Sequence, residues 1–243
     1  MKIHRKTGGH LVAALSVTAF VSGLALAGLL GPALAVADDA SDARQLVEKA
    51  RMTMEGFSGD SNFGAMRDLL KTAKGVYIAP QVLRGAFIFG VSGGSGVLLA
   101  RDEKAGGWAG PAFYTIGEAS FGLQIGGDAS EVVLLAMTER GVTKLLSTQV
   151  KLGGDVSVAA GPVGVGVRGE TAGLSADIVS FARSKGVYAG ISLEGAVVAT
   201  RDGLNRAYYS KVVTPTDILI RREVSNPQAA GLIRSVAEVA DRK

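Results

Sequence analysis

From Gly75 onward the chain is a succession of short runs of β-branched, aliphatic and aromatic residues, each bounded or interrupted by glycine. "GVYIAP", "GAFIFGV", "GVLLARD", "GPAFYTIG", "ASFGLQIGG" and "SEVVLLAM" are each of strand length. The texture resumes in "KLGGDVSVAAGPVGVGVRGE", "SADIVSFARS", "GVYAGISLEGAVVATRD" and "NRAYYS". Glycine inside a strand packs nothing and loses the most backbone entropy. Its repetition therefore points to bulges, tight curvature or close strand approach. The pattern predicts an α+β fold with a glycine-rich, mainly antiparallel β-sandwich or barrel-like core.

Helical periodicity flanks and interrupts this region. Ser41 can cap a stripe of Ala43, Leu46, Val47, Ala50, Met54 and Phe57, spaced by three and four residues. "GFSGDSN" breaks it, and a short second helix is expected over residues 63–72. "TERGVTKLL" reads as one mid-chain helix capped by Thr138. At the C-terminal end Asn226 is a cap, Pro227 sits at the first helical position, and Ala229, Leu232, Ile233, Val236 and Ala240 form an apolar face. A weak internal echo relates "AKGVYIAP" to "SKGVYAGI" and "VLLARDE" to "VVATRDG".

The first 37 residues have the three parts of a secretory signal peptide. Lys2, Arg5 and Lys6 precede an apolar stretch to about Leu30 and small-residue sites at Ala35 and Ala37. Cleavage after Ala35 or Ala37 would leave residues 38–243 as a single exported domain, periplasmic or secreted. A retained anchor is the competing reading, because about 20 apolar residues suffice to span a bilayer. Three of the 26 basic residues and none of the acids lie in this segment, so its removal lowers the formal charge from +4 to +1. That balance argues against nucleic acid as a partner. Both histidines, His4 and His10, leave with it. The sequence has no cysteine, which excludes disulfides, thiolate zinc sites and lipid attachment at a lipobox.

These facts weigh on the tempting motifs. "GVSGG" spells G-x-S-x-G around Ser92, but no histidine remains to activate the hydroxyl, and the surrounding run continues as strand. The bland alternative is a turn or bulge at Gly93-Gly94. In "GVGVRG", Gly164, Gly166 and Gly169 alternate with valine, so the motif reads as a strand and not as a dinucleotide turn. Glu118, Asp128, Glu131 and Glu170 could in principle pair for acid chemistry, yet nothing in the sequence brings two of them together. No calcium-loop spacing occurs. Neither catalysis, a metal nor a cofactor is expected. Trp108, after two glycines, suits a membrane–water interface or a core anchor beneath a loop.

The ordered blocks "GVYIAPQVLRGAFIFGVSGGSGVLLARD", "GWAGPAFYTIGEASFGLQIGG", "SEVVLLAMT", "KLGGDVSVAAGPVG" and "GVYAGISLEGAVVATRD" resemble the SYLF domain, a lipid- and actin-binding domain. The likeness runs from about Ala50 to the C-terminal helix. It implies a non-enzymatic, membrane-associated module. Eukaryotic relatives bind phosphoinositides, fungal relatives also bind and bundle actin, and bacterial relatives are typically exported. This chain carries no SH3 module. An exported protein meets no cytoplasmic actin, so actin is not expected as a partner.

The expected function is therefore an exported, non-enzymatic binder of anionic phospholipid headgroups. An envelope structural or protein-interaction module without a lipid ligand is the alternative. Phosphate recognition calls for lysine or arginine near backbone N–H groups at glycine turns or helix starts. The candidates are Lys71, Lys74 and Arg84, with Arg101, Lys185 and Arg201 added by the echo and Trp108 as an interfacial aromatic. Several of them are expected to face one concavity. The N-terminal helix mixes acids with bases, which is not the lysine-rich face of an avid membrane helix.

Overall fold

The glycine-punctuated runs pair into one sheet. The computed structural model describes residues 24–86, 89–102, 106–121, 126–167, 175–184, 187–189 and 193–241; for residues 24–37, 84–86, 89–91, 119–121, 126–128 and 187–189 it describes the backbone alone. The strands are β1 (Gly75–Ala86), β2 (Phe89–Arg101), β3 (Trp108–Phe121), β4 (Gly126–Ala136), β5 (Gln149–Lys151), β6 (Val158–Ala160), β7 (Ile178–Ser184), β8 (Val187–Ala189) and β9 (Val197–Thr200). Their order is β5-β9-β3-β2-β1-β4-β7-β6, and β8 pairs with β7 off that path. Among the described strands, the short β6–β7 pairing is parallel and the others are antiparallel. The sheet curls into a half-barrel, so of the two predicted arrangements the barrel-like one is present.

Both faces of the sheet are buried, and the two-residue period of a strand decides which side chain goes where. Val76, Ile78, Val97, Leu99, Phe113 and Val133 share one core with the helices. Tyr77, Ala79, Leu98, Tyr114, Val132 and Leu134, which alternate with them, build a second core on the opposite face. The first core is roofed by α1 (Leu24–Gly59), α2 (Gly64–Leu70), α4 (Asp202–Tyr209) and α5 (Ala230–Ala240). The apolar stripe read from the sequence is the face that α1 buries: Ala43, Val47, Ala50, Met54 and Phe57 are all enclosed. Ser41 does not cap this helix, which already runs from Leu24 and passes through positions 35 and 37. Residues 1–23, most of the expected signal peptide, lie outside the described residues. No helix among the described residues is long and apolar enough to cross a membrane.

The other predicted caps form as expected. Thr138 Oγ1 accepts from the Gly141 N–H at 3.0 Å and starts α3 (Glu139–Leu145). Asn226 Oδ1 accepts from the Gln228 N–H at 3.0 Å ahead of Pro227–Ala229 and α5. Asp177 holds α3 against β7, because its carboxylate accepts from Thr138 Oγ1 at 2.7 Å and from Ser157 Oγ at 2.8 Å. Those hydroxyls hold the Asp177 carboxyl below its ordinary value.

Three segments differ from expectation. "NRAYYS" is not a strand but most of α4, where Leu204 and Tyr208 face the core one turn apart. Buried Asn205 fixes that helix, its Oδ1 accepting from the Phe113 N–H of β3 at 2.9 Å. The described part of "GVGVRG", residues 164–167, is not a strand either; residues 161–167 form a turn in which Gly164 and Gly166 take φ of 147° and 79°. Positive φ at both glycines is what the alternation of glycine and valine concealed. Gly169 lies outside the described residues.

The third correction concerns Gly93-Gly94. No turn divides the strands there, since β2 is unbroken and Gly93 and Gly94 pair with Leu83 and Val82 in mid-strand. Ser92 likewise sits within the ladder, opposite Arg84 and Glu118, and not at a strand-to-helix elbow. The irregularity belongs to the partner. Around Pro80 the register of β1 shifts against both neighbours, between Ile78 and Gln81 toward β2 and between Ala79 and Val82 toward β4. Proline lacks the N–H that a central ladder needs, so it sits in a bulge. The bulge drives the Gln81 carbonyl toward β2, where a Cβ at position 94 would overlap it. Gly94→Ala is accordingly predicted to lower stability by about 1–3 kcal/mol or to displace the bulge. Urea unfolding measures this, and an unchanged midpoint would contradict the close approach.

Candidate binding groove

The structure separates the basic residues singled out in the sequence. Lys71 stands at the C-terminal end of α2, where Nζ pairs with Asp68 at 3.3 Å. Lys74 pairs with Glu139 at 3.3 Å. Arg101 is turned inward: Nε donates to the Ala73 carbonyl at 2.8 Å and Nη2 to the Leu70 carbonyl at 2.9 Å. It thereby satisfies carbonyls that the end of α2 leaves open. Its guanidinium lies 4.7 Å from the centre of the Trp108 ring. Trp108 is 8% exposed and belongs to the helix-covered core. Arg84 pairs with Ser92 and Asp128 across the ladder, but its side chain, like all of Lys185, lies outside the described residues.

Lys74 and Arg101 do meet at one cavity, of about 240 Å³, which also takes in Arg222, Asp102 and Glu139. Arg222 is a residue sequence reasoning missed. It follows a π-helical turn, Asp217–Arg221, adopts a left-handed backbone with φ of 56°, and pairs with the buried Asp102. That carboxylate raises the guanidinium further above its ordinary value. Each cation here already holds a protein partner. The cluster fastens chain segments together.

A different groove, of about 320 Å³, opens beside the bulge. One wall is α1, which contributes Asp42, Gln45, Leu46 and Lys49 at the spacing of a single helix face. The other wall is the bulge and its partner strand, with Pro80, Gln81, Leu83 and the Gly93–Ser95 backbone. Arg201, at the start of α4, closes one side, donating Nη1–H to Ser95 Oγ at 2.7 Å. Its own backbone N–H is held by the Phe113 carbonyl at 2.9 Å. Lys49 also lines an adjoining depression of about 480 Å³ with Met52, Thr53, Glu131 and Arg183. There Arg183 Nε donates to Glu131 at 2.7 Å and Thr53 Oγ1 donates to the same carboxylate at 2.9 Å, which pins α1 to β4 and β7. Leu83 in the first groove is 55% exposed, and Met52 in the adjoining depression 59%.

Among the described side chains of the expected set, Arg201 lines this groove, and Lys49 was not among the candidates. Lysine at 49 lies in a stretch of alternating charge, and nothing in the sequence shows that this flank of α1 faces the bulge. Among the described residues no group of histidine, cysteine, aspartate or glutamate is placed to hold a metal ion. The described structure is thus a curled sheet roofed by helices, with a polar groove where helix and bulge meet.

Comparison with known proteins gives the family. Residues 117–239 match the Ysc84 family model, described as "Las17-binding protein actin regulator", and the chain belongs to this family of SYLF domains. Protein YSC84 of Saccharomyces cerevisiae is 35% identical over 171 residues, which cover 68% of this chain and 36% of that protein. LAS seventeen-binding protein 3 of the same yeast is 34% identical over 171 residues, 69% of this chain and 37% of the relative. The human SH3 domain-containing YSC84-like protein 1 is 33% identical over 153 residues, 62% and 44% of the two chains. The chain thus spans less than half the length of these relatives. One of these names describes a binding protein, and the family description an actin regulator. The expectation that actin lies outside the partners of such a chain is corrected by the family description, which ties the family to actin regulation.

The two clusters predict different phenotypes. Arg101→Ala removes two charge-assisted hydrogen bonds and a ring contact, a loss on the order of 2 kcal/mol, whereas Lys71→Ala at an exposed ion pair costs no more than about 0.5 kcal/mol. Equal urea midpoints for the two variants would refute the structural role of Arg101.

Proposed function

We propose that this chain is a non-enzymatic binding module that seats the phosphate of phospholipid headgroups in the groove between α1 and the β1 bulge. The supporting observation is the meeting of Lys49, Arg201 and the Ser95 hydroxyl at one opening. Lys49 has no ion pair among the described residues, and Arg201 bonds a neutral hydroxyl, so both charges are available to an anion. Phosphate oxygens accept well from such donors. Exposed Leu83 in the groove, with Met52 in the adjoining depression, gives the acyl region an apolar landing.

A second reading has its own support. The family description and the relatives' names point to a cytoskeletal protein partner, with actin filaments as the first to try. Co-sedimentation separates the two. Binding to phosphatidylglycerol vesicles is expected to fall about tenfold or more in the Lys49→Glu/Arg201→Glu double variant. The melting temperature is expected to hold, because neither side chain carries a buried partner. Pelleting with actin filaments but not with vesicles would replace the lipid reading with the cytoskeletal one. Equal vesicle binding by the double variant would remove the groove from the account.

A further inference from the structure

The groove holds more than cations. Asp42 lines it on the same face of α1 as Lys49. The Asp39 carboxylate lies against Gly203 in the first turn of α4, where a Cβ would stand 3.2 Å from Oδ2. Two bases, Lys49 and Arg201, and one acid, Asp42, therefore line one opening, with Asp39 nearby at α4. A polyphosphorylated headgroup brings several negative charges and calls for a surplus of arginine and lysine, which this arrangement lacks. A headgroup that carries both signs matches it.

We propose that the groove is a receptor for a zwitterionic phosphoethanolamine group. This rests on the lipid reading above and narrows it. The phosphate lies between Lys49 and Arg201 beside Ser95 Oγ, and the primary ammonium donates to Asp42. Residues 42 and 49 are two turns apart on α1, ~10.5 Å along its axis. That span suits a short zwitterion with a charge-assisted hydrogen bond at each end. Choline fits the site poorly for a chemical reason. Its methylated nitrogen has no N–H for a carboxylate, and quaternary ammonium groups are held by aromatic cages. The described lining of this groove contains no aromatic side chain. The volume of about 320 Å³ admits the headgroup and leaves the acyl chains at the Leu83 rim.

The test uses the full chain and vesicles of phosphatidylcholine alone, or doped with phosphatidylethanolamine or with phosphatidylglycerol. The inference expects phosphatidylethanolamine to raise sedimentation about tenfold over phosphatidylcholine alone. Asp42→Asn, an exposed change on α1, is expected to abolish that increment, so that the variant sediments equally with phosphatidylcholine vesicles with and without phosphatidylethanolamine. Binding to phosphatidylglycerol without any gain from phosphatidylethanolamine would overturn the inference while the lipid reading stands. No binding to any vesicle, and none to soluble glycerophosphoethanolamine, would overturn both. Titration with soluble glycerophosphoethanolamine distinguishes the source: saturable binding there, lost in Asp42→Asn, without vesicle sedimentation would support the headgroup chemistry and assign it to a free ester.

Discussion

The contact on which this structure depends is the approach of the Gln81 carbonyl to Gly94. Proline at position 80 cannot serve a central ladder, so β1 steps out of register against both neighbours at that point. The displaced backbone needs room, and only a residue without Cβ provides it on β2. From this local exchange follow the corner in the sheet and the exposed shelf of Gln81 and Leu83. The space beneath α1 follows too. Had β1 continued flat, Lys49 would have faced an ordinary sheet surface. The glycines of this chain are therefore tied to particular close approaches; Gly96, which makes room for the Tyr77 ring, is another.

Charge is sorted by the same geometry. Lys71, Lys74, Arg101 and Arg222 are spent within the fold on carboxylates, carbonyl ends of a helix or an aromatic ring. Arg183 joins them by clamping α1 through Glu131. Among the described residues, Lys49 and Arg201, by contrast, are the basic residues that line the groove beside the bulge. The chain belongs to a family whose description names Las17 binding and actin regulation.

Much of the fold could be read directly from the residues. The stripe from Ala43 to Phe57, the caps at Thr138 and Asn226, and the strand texture from Gly75 all correspond to observed elements, because each depends on interactions local in sequence. The failures share a cause. "NRAYYS" has aromatic residues suited to a strand, yet Asn205 finds its partner on β3, 92 residues away, and the segment is helical. The valines of "GVGVRG" alternate as in a strand, while the φ values of Gly164 and Gly166 make a turn. The candidate site was the least legible part. Basic residues look alike in sequence, and which of them is consumed by a carbonyl or a carboxylate is fixed by tertiary contacts such as that of Arg101 with Leu70.

The central claim is that ligand enters between α1 and the β1 bulge and leaves the Arg101 cluster alone. Backbone amide chemical shifts of the isotopically labelled chain, followed during titration with short-chain phospholipid below its micelle concentration, test this most directly. The account predicts saturable shifts confined to the neighbourhoods of Lys49, Gln81, Ser95 and Arg201. Shifts centred instead on Lys74, Trp108 and Arg222, with the bulge unaffected, would contradict it.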